Sequence, residues 1–236
     1  MKRAYRRALC KLSGEAFSSS GFGFREADIH GVAQSLSLAH ASGKELGIVV
    51  GAGNILRGKD SDLNYPPTVL DEVGMLATVL NGKLLLAALR KLGTPATLFN
   101  AFPCGNFAET FSMEKVENCL QKGEIVLFSG GTAHPFFTTD MAAALRALQM
   151  KADVLIKLST VDAVYSEDPK ISPNASKQAK ITYREILEKK LQIMDLEAVL
   201  LCEREKLPII VTHFSEPKNL TQALSCAPTG TLITQE

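Results

Sequence analysis

Four short stretches of this chain carry residue types that could handle phosphate. The first is Lys11-Leu12-Ser13-Gly14. The run from Tyr5 to Leu12 has the apolar second half of a strand entering a core, and Ser13-Gly14 breaks it. Glycine lets backbone come close to a ligand, and consecutive N–H groups in such a turn form an anion-binding concavity. A lysine beside it is a point charge suited to a phosphate oxygen. Taken alone, the tetrapeptide reads more simply as a strand-end lysine reaching solvent along its alkyl stem. Three further junctions shift the balance toward anion chemistry.

The second is Gly51-Ala52-Gly53-Asn54-Ile55-Leu56-Arg57-Gly58, after the apolar Gly47–Val50. It nearly fits two phosphate-loop patterns and fails both. Leu56 stands where a dinucleotide fingerprint needs Gly or Ala, and Asp60 stands where a Walker A loop needs Ser or Thr. A plain tight turn explains the glycines but not Arg57. The third runs Ser129-Gly130-Gly131-Thr132-Ala133-His134-Pro135-Phe136-Phe137-Thr138-Thr139-Asp140. Thr139 or Asp140 is expected to cap the alanine-rich helix that follows, whose N-terminus favours an anion. Phe136-Phe137 is either a base-stacking surface or a staple on the core, and by itself the pair favours core. The fourth is Lys157-Leu158-Ser159-Thr160-Val161-Asp162-Ala163-Val164-Tyr165 with Asp168-Pro169 beyond. Tyr165 and Asp168 suit a flat base or a ribose, and Asp168-Pro169 is equally an ordinary turn. The four histidines show no triad or metal spacing, so no protein-held metal site is expected.

These junctions must sit at strand ends. Strand-like runs are predicted at Arg7–Leu12, Leu46–Val50, Thr94–Phe99, Ile125–Ser129, Val154–Leu158, Ile209–His213 and Thr231–Thr234. Helical patterns are predicted at Glu26–Ala41, Leu70–Leu92, Met113–Gln121, Thr139–Met150, Tyr183–Lys190, Leu196–Lys206 and Pro217–Leu224. Strand–helix alternation implies an α/β fold with a mainly parallel central sheet covered on both faces. Ligands of such sheets sit beyond the carboxyl ends of the strands. Lys59–Thr68 and Glu167–Lys180 are rich in breakers and read as surface excursions, so residues 1–236 are expected to form a single domain.

The 236 residues are 46% hydrophobic and 22% charged, enough for a substantial core. A net charge of +1 gives no broad basic footprint, so neither nucleic acid nor a membrane surface is expected as a partner. No uninterrupted apolar run approaches the ~18 residues of a bilayer span. Five widely spaced cysteines without a C-x-x-C suggest free thiols and a cytoplasmic protein.

In this order, Lys11-Leu12-Ser13-Gly14-Glu15-Ala16, Gly51-Ala52-Gly53-Asn54-x-x-Arg57-Gly58, Asp71-x-x-Gly74-Met75-Leu76-Ala77-Thr78, Pro135-Phe136-Phe137-Thr138-Thr139-Asp140, Asp162-Ala163-Val164-Tyr165-x-x-Asp168-Pro169 and Met194-Asp195-Leu196 resemble the bacterial UMP kinases (uridylate kinases) of the amino acid kinase superfamily. The resemblance covers the whole chain. It implies a three-layer αβα sandwich and transfer of a phosphoryl group from MgATP to UMP in pyrimidine nucleotide synthesis. By the same resemblance Lys11, Leu12, Ser13, Gly14, Gly53 and Arg57 would meet the ATP phosphates. Ser159, Tyr165 and Asp168 would line its adenine and ribose. Ala52, Asp71 and Thr132 through Thr139 (Thr132, Ala133, His134, Pro135, Phe136, Phe137, Thr138) would surround UMP. Lys11, Arg57, Asp140, Lys157 and Asp195 would form the catalytic group, with Mg²⁺ held mainly by nucleotide phosphates. A homohexamer, partly built on the long central helix, and inhibition by UTP are further implications.

The chain departs from the family pattern in three places. Gly51-Ala52-Gly53-Asn54 replaces G-G-G-N, and Thr132-Ala133-His134-Pro135 replaces T-G-N-P, so both loops are expected to adjust to the added Cβ. Leu86-Ala87 replaces an Arg-Asp pair associated with GTP activation, which leaves that activation open although Gly21-Phe22-Gly23 is present. Three rivals remain: a carboxylate or carbamate kinase on the same scaffold, which gives no reason for P-F-F-T-T-D; a nucleotide-binding protein without turnover; and a nicotinamide-dependent oxidoreductase, which fails on the fingerprint.

Overall fold

The structure, a computed structural model, describes residues 4–56, 63–166, 175–191, 193–214 and 217–236. Its core is a sheet whose order is β4-β3-β5-β2-β1-β6-β10-β11-β9, with β1 Arg7–Leu12, β2 Glu45–Val50, β3 Ala96–Asn100, β4 Glu109–Thr110, β5 Ile125–Ser129, β6 Val154–Ser159, β9 Lys180–Thr182, β10 Ile209–His213 and β11 Thr231–Thr234. Neighbours pair in parallel except β10 with β11. Val164–Tyr165 (β7) and Lys177–Gln178 (β8) form a separate antiparallel hairpin. The central strands are buried along nearly their whole length, as β5 (Ile-Val-Leu-Phe-Ser) illustrates. That is the near-continuous apolar run of strands covered on both faces.

One face is covered by α1 (Glu26–Ala41), α2 (Pro67–Lys91) and α7 (Pro217–Leu224), packed on alternate strand residues such as Ala8, Cys10, Ile48 and Ile156. The other is covered by α3 (Met113–Gln121), α4 (Thr139–Gln149), α5 (Tyr183–Lys189) and α6 (Leu196–Arg204), against Leu9, Val49, Val126, Leu155 and Val211. Ala142, Ala143, Ala144 and Ala147 of α4 are at most 1% exposed, so small side chains seat this helix close on the sheet. The αβα expectation therefore holds, and each of the seven predicted strands and seven predicted helices has a counterpart.

The differences are informative. β4, β7, β8 and β9 have two or three residues each, too short for a period-2 signal. Residues 177–182, mostly assigned to a surface excursion, pair instead with β7 and β11. Helix α2 begins at Pro67, not Leu70, because proline's fixed φ suits a first helical turn and its missing N–H costs nothing there. The same helix corrects the reading of apolar run length. Its 25 residues are long and apolar enough, by length and composition, to cross a membrane. In the fold it packs Leu85, Leu86 and Leu89 into the core and leaves Val69, Val73, Leu76, Leu80 and Leu84 exposed along its outer side. The described cysteines carry free thiols.

Candidate active site

Parallel register places Lys11 of β1 directly opposite Lys157 of β6. Paired residues share a face, so both ammonium groups emerge on the side covered by α4. Asp140 in the first turn of α4 lies between them. Its Oδ2 accepts a hydrogen bond from Lys157 Nζ at 2.8 Å, and its Oδ1 faces Lys11 Nζ at 3.0 Å. All three side chains are only 10–12% exposed. Burial alone would raise the Asp140 carboxyl's pKa, but Lys11 and then Lys157 outweigh it, and the group is held below the usual carboxylate value. The Lys157 ammonium is pushed below its ordinary value, first by burial and then, against the pull of Asp140, by Lys11. Lys157 Nζ also donates to Ile193 O, anchoring the segment that leads to Asp195. Two ammonium groups thus converge at a helix N-terminus, a site that favours an anion, with Asp140 between them and the Asp195 carboxylate also acting on Lys157.

The capping residue is Thr138. Its Oγ1 accepts from Asp140 N at 3.1 Å and from Met141 N at 3.4 Å. This corrects the expectation of Thr139 or Asp140 as cap. Thr138 has the extended backbone a cap requires, and Asp140, already inside the helix, is free to face the lysines. Thr138 Oγ1 in turn donates to Asp195 Oδ2, joining the start of α4 to the start of α6.

Gly14 has a different reason for being glycine than the sequence suggested. A Cβ there would stand 2.2 Å from Gly53 N and 2.5 Å from Asn54 N. The close approach is between the β1 and β2 loops, which are fastened also by Gly51 N donating to Leu12 O at 2.8 Å. Leu12 keeps its side chain in the core and contributes backbone to this junction. Ser13 Oγ is buried and, among the described residues, has no hydrogen-bond partner. Arg57, expected in the catalytic group, lies outside the described residues, as does Asp168.

Beyond β5 the loop crosses to α2. Phe136 N donates to Asp71 Oδ2 at 2.8 Å. Phe136 and Phe137 are 76% and 51% exposed, which overturns the core reading of that pair. With Pro67, Leu70, Asp71, Thr138, Met141 and Asp195 they line a cavity of about 470 Å³. The Asp71–Phe136 bond and the left-handed φ of Phe136, +69°, turn the aromatic pair away from the sheet. Thr132 Oγ1 caps the turn through His134 N at 3.2 Å, and Pro135 continues it. Ala133 keeps φ +66°, so the loop has not adjusted to the replacement of glycine. Ala52, by contrast, has no left-handed backbone and is nearly buried.

At the end of β6, Ser159 is half-buried and its carbonyl accepts from Phe214 N at 3.1 Å. Tyr165 OH donates to Asp162 Oδ1 at 2.9 Å, and Lys177 Nζ reaches Asp162 Oδ2 across the β7–β8 hairpin. A cavity of about 580 Å³ opens beside this hairpin, lined by Asp162, Lys177, Thr212, Asn219 and Gly230 among others, and neither Lys11 nor Lys157 reaches it. The Phe136 cleft shares Thr138 and Asp195 with the surroundings of the Lys11–Asp140–Lys157 group, and the hairpin follows β6, which carries Lys157. Thr78, Asn81 and Asn54 also support these loops. Sequence reasoning missed their roles, although a polar pair inside the apolar stretch Ala77–Leu86 was the available signal.

A parallel sheet whose central strand ends gather two lysines around a helix N-terminus defines an anion-handling α/β protein. The chain belongs to the amino acid kinase family, whose model matches residues 6–213. It is similar to the uridylate kinase of Aeromonas salmonicida, 40% identical over 98% of this chain and 96% of that protein. The uridylate kinase of Rhizobium meliloti is 41% identical over 99% of this chain and 98% of its own length. The crystal structure of a UMP kinase from Bacillus anthracis superposes with a TM-score of 0.95 at 31% identity, covering 99% of this chain and 98% of that one.

Proposed function

We propose that this chain is a UMP kinase, transferring the terminal phosphoryl group of ATP to UMP to give UDP and ADP. The observation that carries the proposal is the buried Lys11–Asp140–Lys157 group at the N-terminus of α4, flanked by the loops whose residues resemble the family's nucleotide-binding motifs. Phosphoryl transfer asks little covalent chemistry of a protein; positioning and charge stabilisation supply the catalysis. The acceptor phosphate, with a second pKa of about 6, is already ionised at neutral pH. No general base is needed, and Asp140, held ionised by two cations, is a poor one.

In this reading Lys11, with Ser13, Gly14, Gly53 and Arg57, meets the ATP phosphates, and Ser159, Tyr165 and Asp168 hold the nucleoside side. Ala52, Asp71 and Thr132–Thr139 surround UMP, with Phe136 or Phe137 offering a ring to the uracil. Asp140 holds Lys11 and Lys157 in place, and Asp195 fixes Thr138. Mg²⁺ arrives as MgATP. Among the described residues no group of three or more His, Cys, Asp and Glu is arranged to hold a metal. The whole chain acts as one catalytic domain in the cytoplasm, apart from nucleic acid and membranes. Self-association as a homohexamer is supported by the exposed apolar stripe Val69, Val73, Leu76, Leu80 and Leu84 on α2. Inhibition by UTP belongs to the same reading through the family resemblance, and Leu86-Ala87 in place of the Arg-Asp pair leaves GTP activation open.

A coupled ADP-release assay with MgATP and a panel of nucleoside monophosphates tests the proposal. A site that hydrogen-bonds the base rejects analogues that leave its polar groups unpaired. UMP is expected to be preferred strongly over CMP and AMP; equal rates with CMP would overturn it.

A further inference from the structure

Two loops of the candidate site hang from one face of α2. Asn81, fully buried in the middle of that helix, donates from Nδ2 to Gly51 O at 2.6 Å and to Asn54 Oδ1 at 2.8 Å. Asn54, 3% exposed, donates back to Asn81 Oδ1 at 3.1 Å and to Gly23 O at 2.8 Å, and its carbonyl accepts from Gly23 N at 2.8 Å. Three residues earlier, Thr78 is 2% exposed. Its Oγ1 donates to Met75 O at 2.6 Å and accepts from Gly130 N at 2.7 Å. The Met75 side chain lies against Gly131. The end of β2 and the end of β5 are thus fixed to two residues about 4.5 Å apart along one rigid helix.

Burying an amide and a hydroxyl costs free energy unless each finds partners. Here both find them in loop backbone, where an apolar side chain would fill the space as well. The polar groups therefore serve the loops, not the packing of α2. We propose that Asn81 and Thr78 are positioning residues for the phosphoryl transfer. Asn81 sets the Gly51–Asn54 turn, over which the phosphates of both nucleotides meet; Thr78 sets the Gly130–Thr139 loop that receives the acceptor. α2 thereby fixes the spacing of the two. The inference rests on the proposed UMP kinase activity for its kinetic consequences, but not for its structural one.

Misplacement by 1 Å can cost on the order of 100-fold in rate. Asn81→Leu is therefore expected to lower kcat by about 10-fold to 100-fold with a smaller change in the KM for UMP. Thr78→Val is expected to raise the KM for UMP about tenfold or more while leaving the KM for ATP near that of the parent. Thr78→Ser, which keeps the hydroxyl, restores parental values. Without any nucleotide, hydrogen exchange is expected to quicken at the amides of Gly51 and Ile55 in Asn81→Leu and at Gly130 in Thr78→Val. If Asn81→Leu does not fold, Asn54→Ala removes the same amide pair from the loop side and carries the same expectation. Unchanged exchange at both loops overturns the inference. So does a parallel rise of both KM values that merely follows the fall in Tm, because loss of general stability would not separate the two substrates. If the parent protein releases no ADP with UMP, the proposed function fails, while the exchange result still decides whether α2 anchors the loops.

Discussion

Two clusters, one at the ends of β1 and β6 and one on the β7–β8 hairpin, both pair a lysine with an aspartate and differ in what water can reach. Lys11, Asp140 and Lys157 are 10–12% exposed. Asp162 and Lys177, joined across the hairpin with Tyr165 on the same carboxylate, are 42% and 58% exposed. Both carboxylates are held below the usual value. For Asp140 the two lysines must first overcome burial; for Asp162 the Lys177 hydrogen bond is the largest influence and burial is secondary. In water such a pair is screened and adds little. In the interior the same charges cannot relax, so they are held in one geometry, and the two ammonium groups are felt strongly by an incoming anion. Burial, not residue type, turns an ion pair into a tool.

The comparison breaks most visibly at the carboxylates. Asp140→Ala strands two buried ammonium groups and is expected to cost about 3–5 kcal/mol of unfolding free energy. Asp162→Ala is expected to cost about 0.2–1 kcal/mol. Urea denaturation of both variants decides, and equal losses would mean that burial is not the difference. At the cations, Lys11→Ala is expected to cut kcat by about 10²–10³, or about 3–4 kcal/mol, with UMP binding largely kept. Lys177→Ala should lower it by less than about fivefold. Near-parental turnover in Lys11→Ala would remove that lysine from the chemistry.

Acidity sharpens the contrast further. The Asp140 carboxyl is depressed in the fold, so its stabilising share is present above the ordinary value of 3.8 and is lost as pH falls through the folded value. Lys157 is also depressed from 10.5, but for an ammonium that means the unfolded chain binds more protons. Its burial therefore costs stability at neutral pH, and that cost shrinks as pH rises through the folded value toward 10.5. Turnover that needs Lys157 charged should accordingly fall as pH rises, with its alkaline limb lying below the ordinary lysine value of 10.5. Asp140 raises the Lys157 value, so Asp140→Asn should move that alkaline limb to lower pH; a pH–rate profile that stays in place would contradict the coupling.

The smallest expected effects come from the two alanines. Ala133→Gly relieves a left-handed alanine and should stabilise by about 1 kcal/mol. Ala52→Gly should instead destabilise by about 0.4–1 kcal/mol, since alanine suits the backbone there and glycine only loosens the unfolded chain. Thermal unfolding of both variants tests the difference in sign.

Much of this was legible in the sequence because it rests on local rules. Apolar periodicity marked the central strands and the helices to within a few residues, since strand and helix expose their faces at different periods. Glycine and cation at successive strand ends marked the candidate loops for the same kind of reason. The outward turn of Phe136-Phe137 is not legible locally, because it rests on a left-handed Phe136 and on a bond to Asp71, 65 residues away. The close approach of the β2 loop, which by itself requires glycine at position 14, is a tertiary contact that the tetrapeptide does not reveal. The cap fell one residue early, which is what frees Asp140 for the lysines.

By itself, then, the sequence determined the alternation of elements, the order of the loops and the presence of Lys11, Asp140 and Lys157. Only the tertiary structure decided that these three would touch. Parallel register sets the lysines side by side across 146 residues of chain, and the seating of an alanine-rich helix delivers the carboxylate between them. Local periodicity specifies which residues face inward; it carries no information on which distant strand lies alongside, because that is chosen by the packing of the whole core.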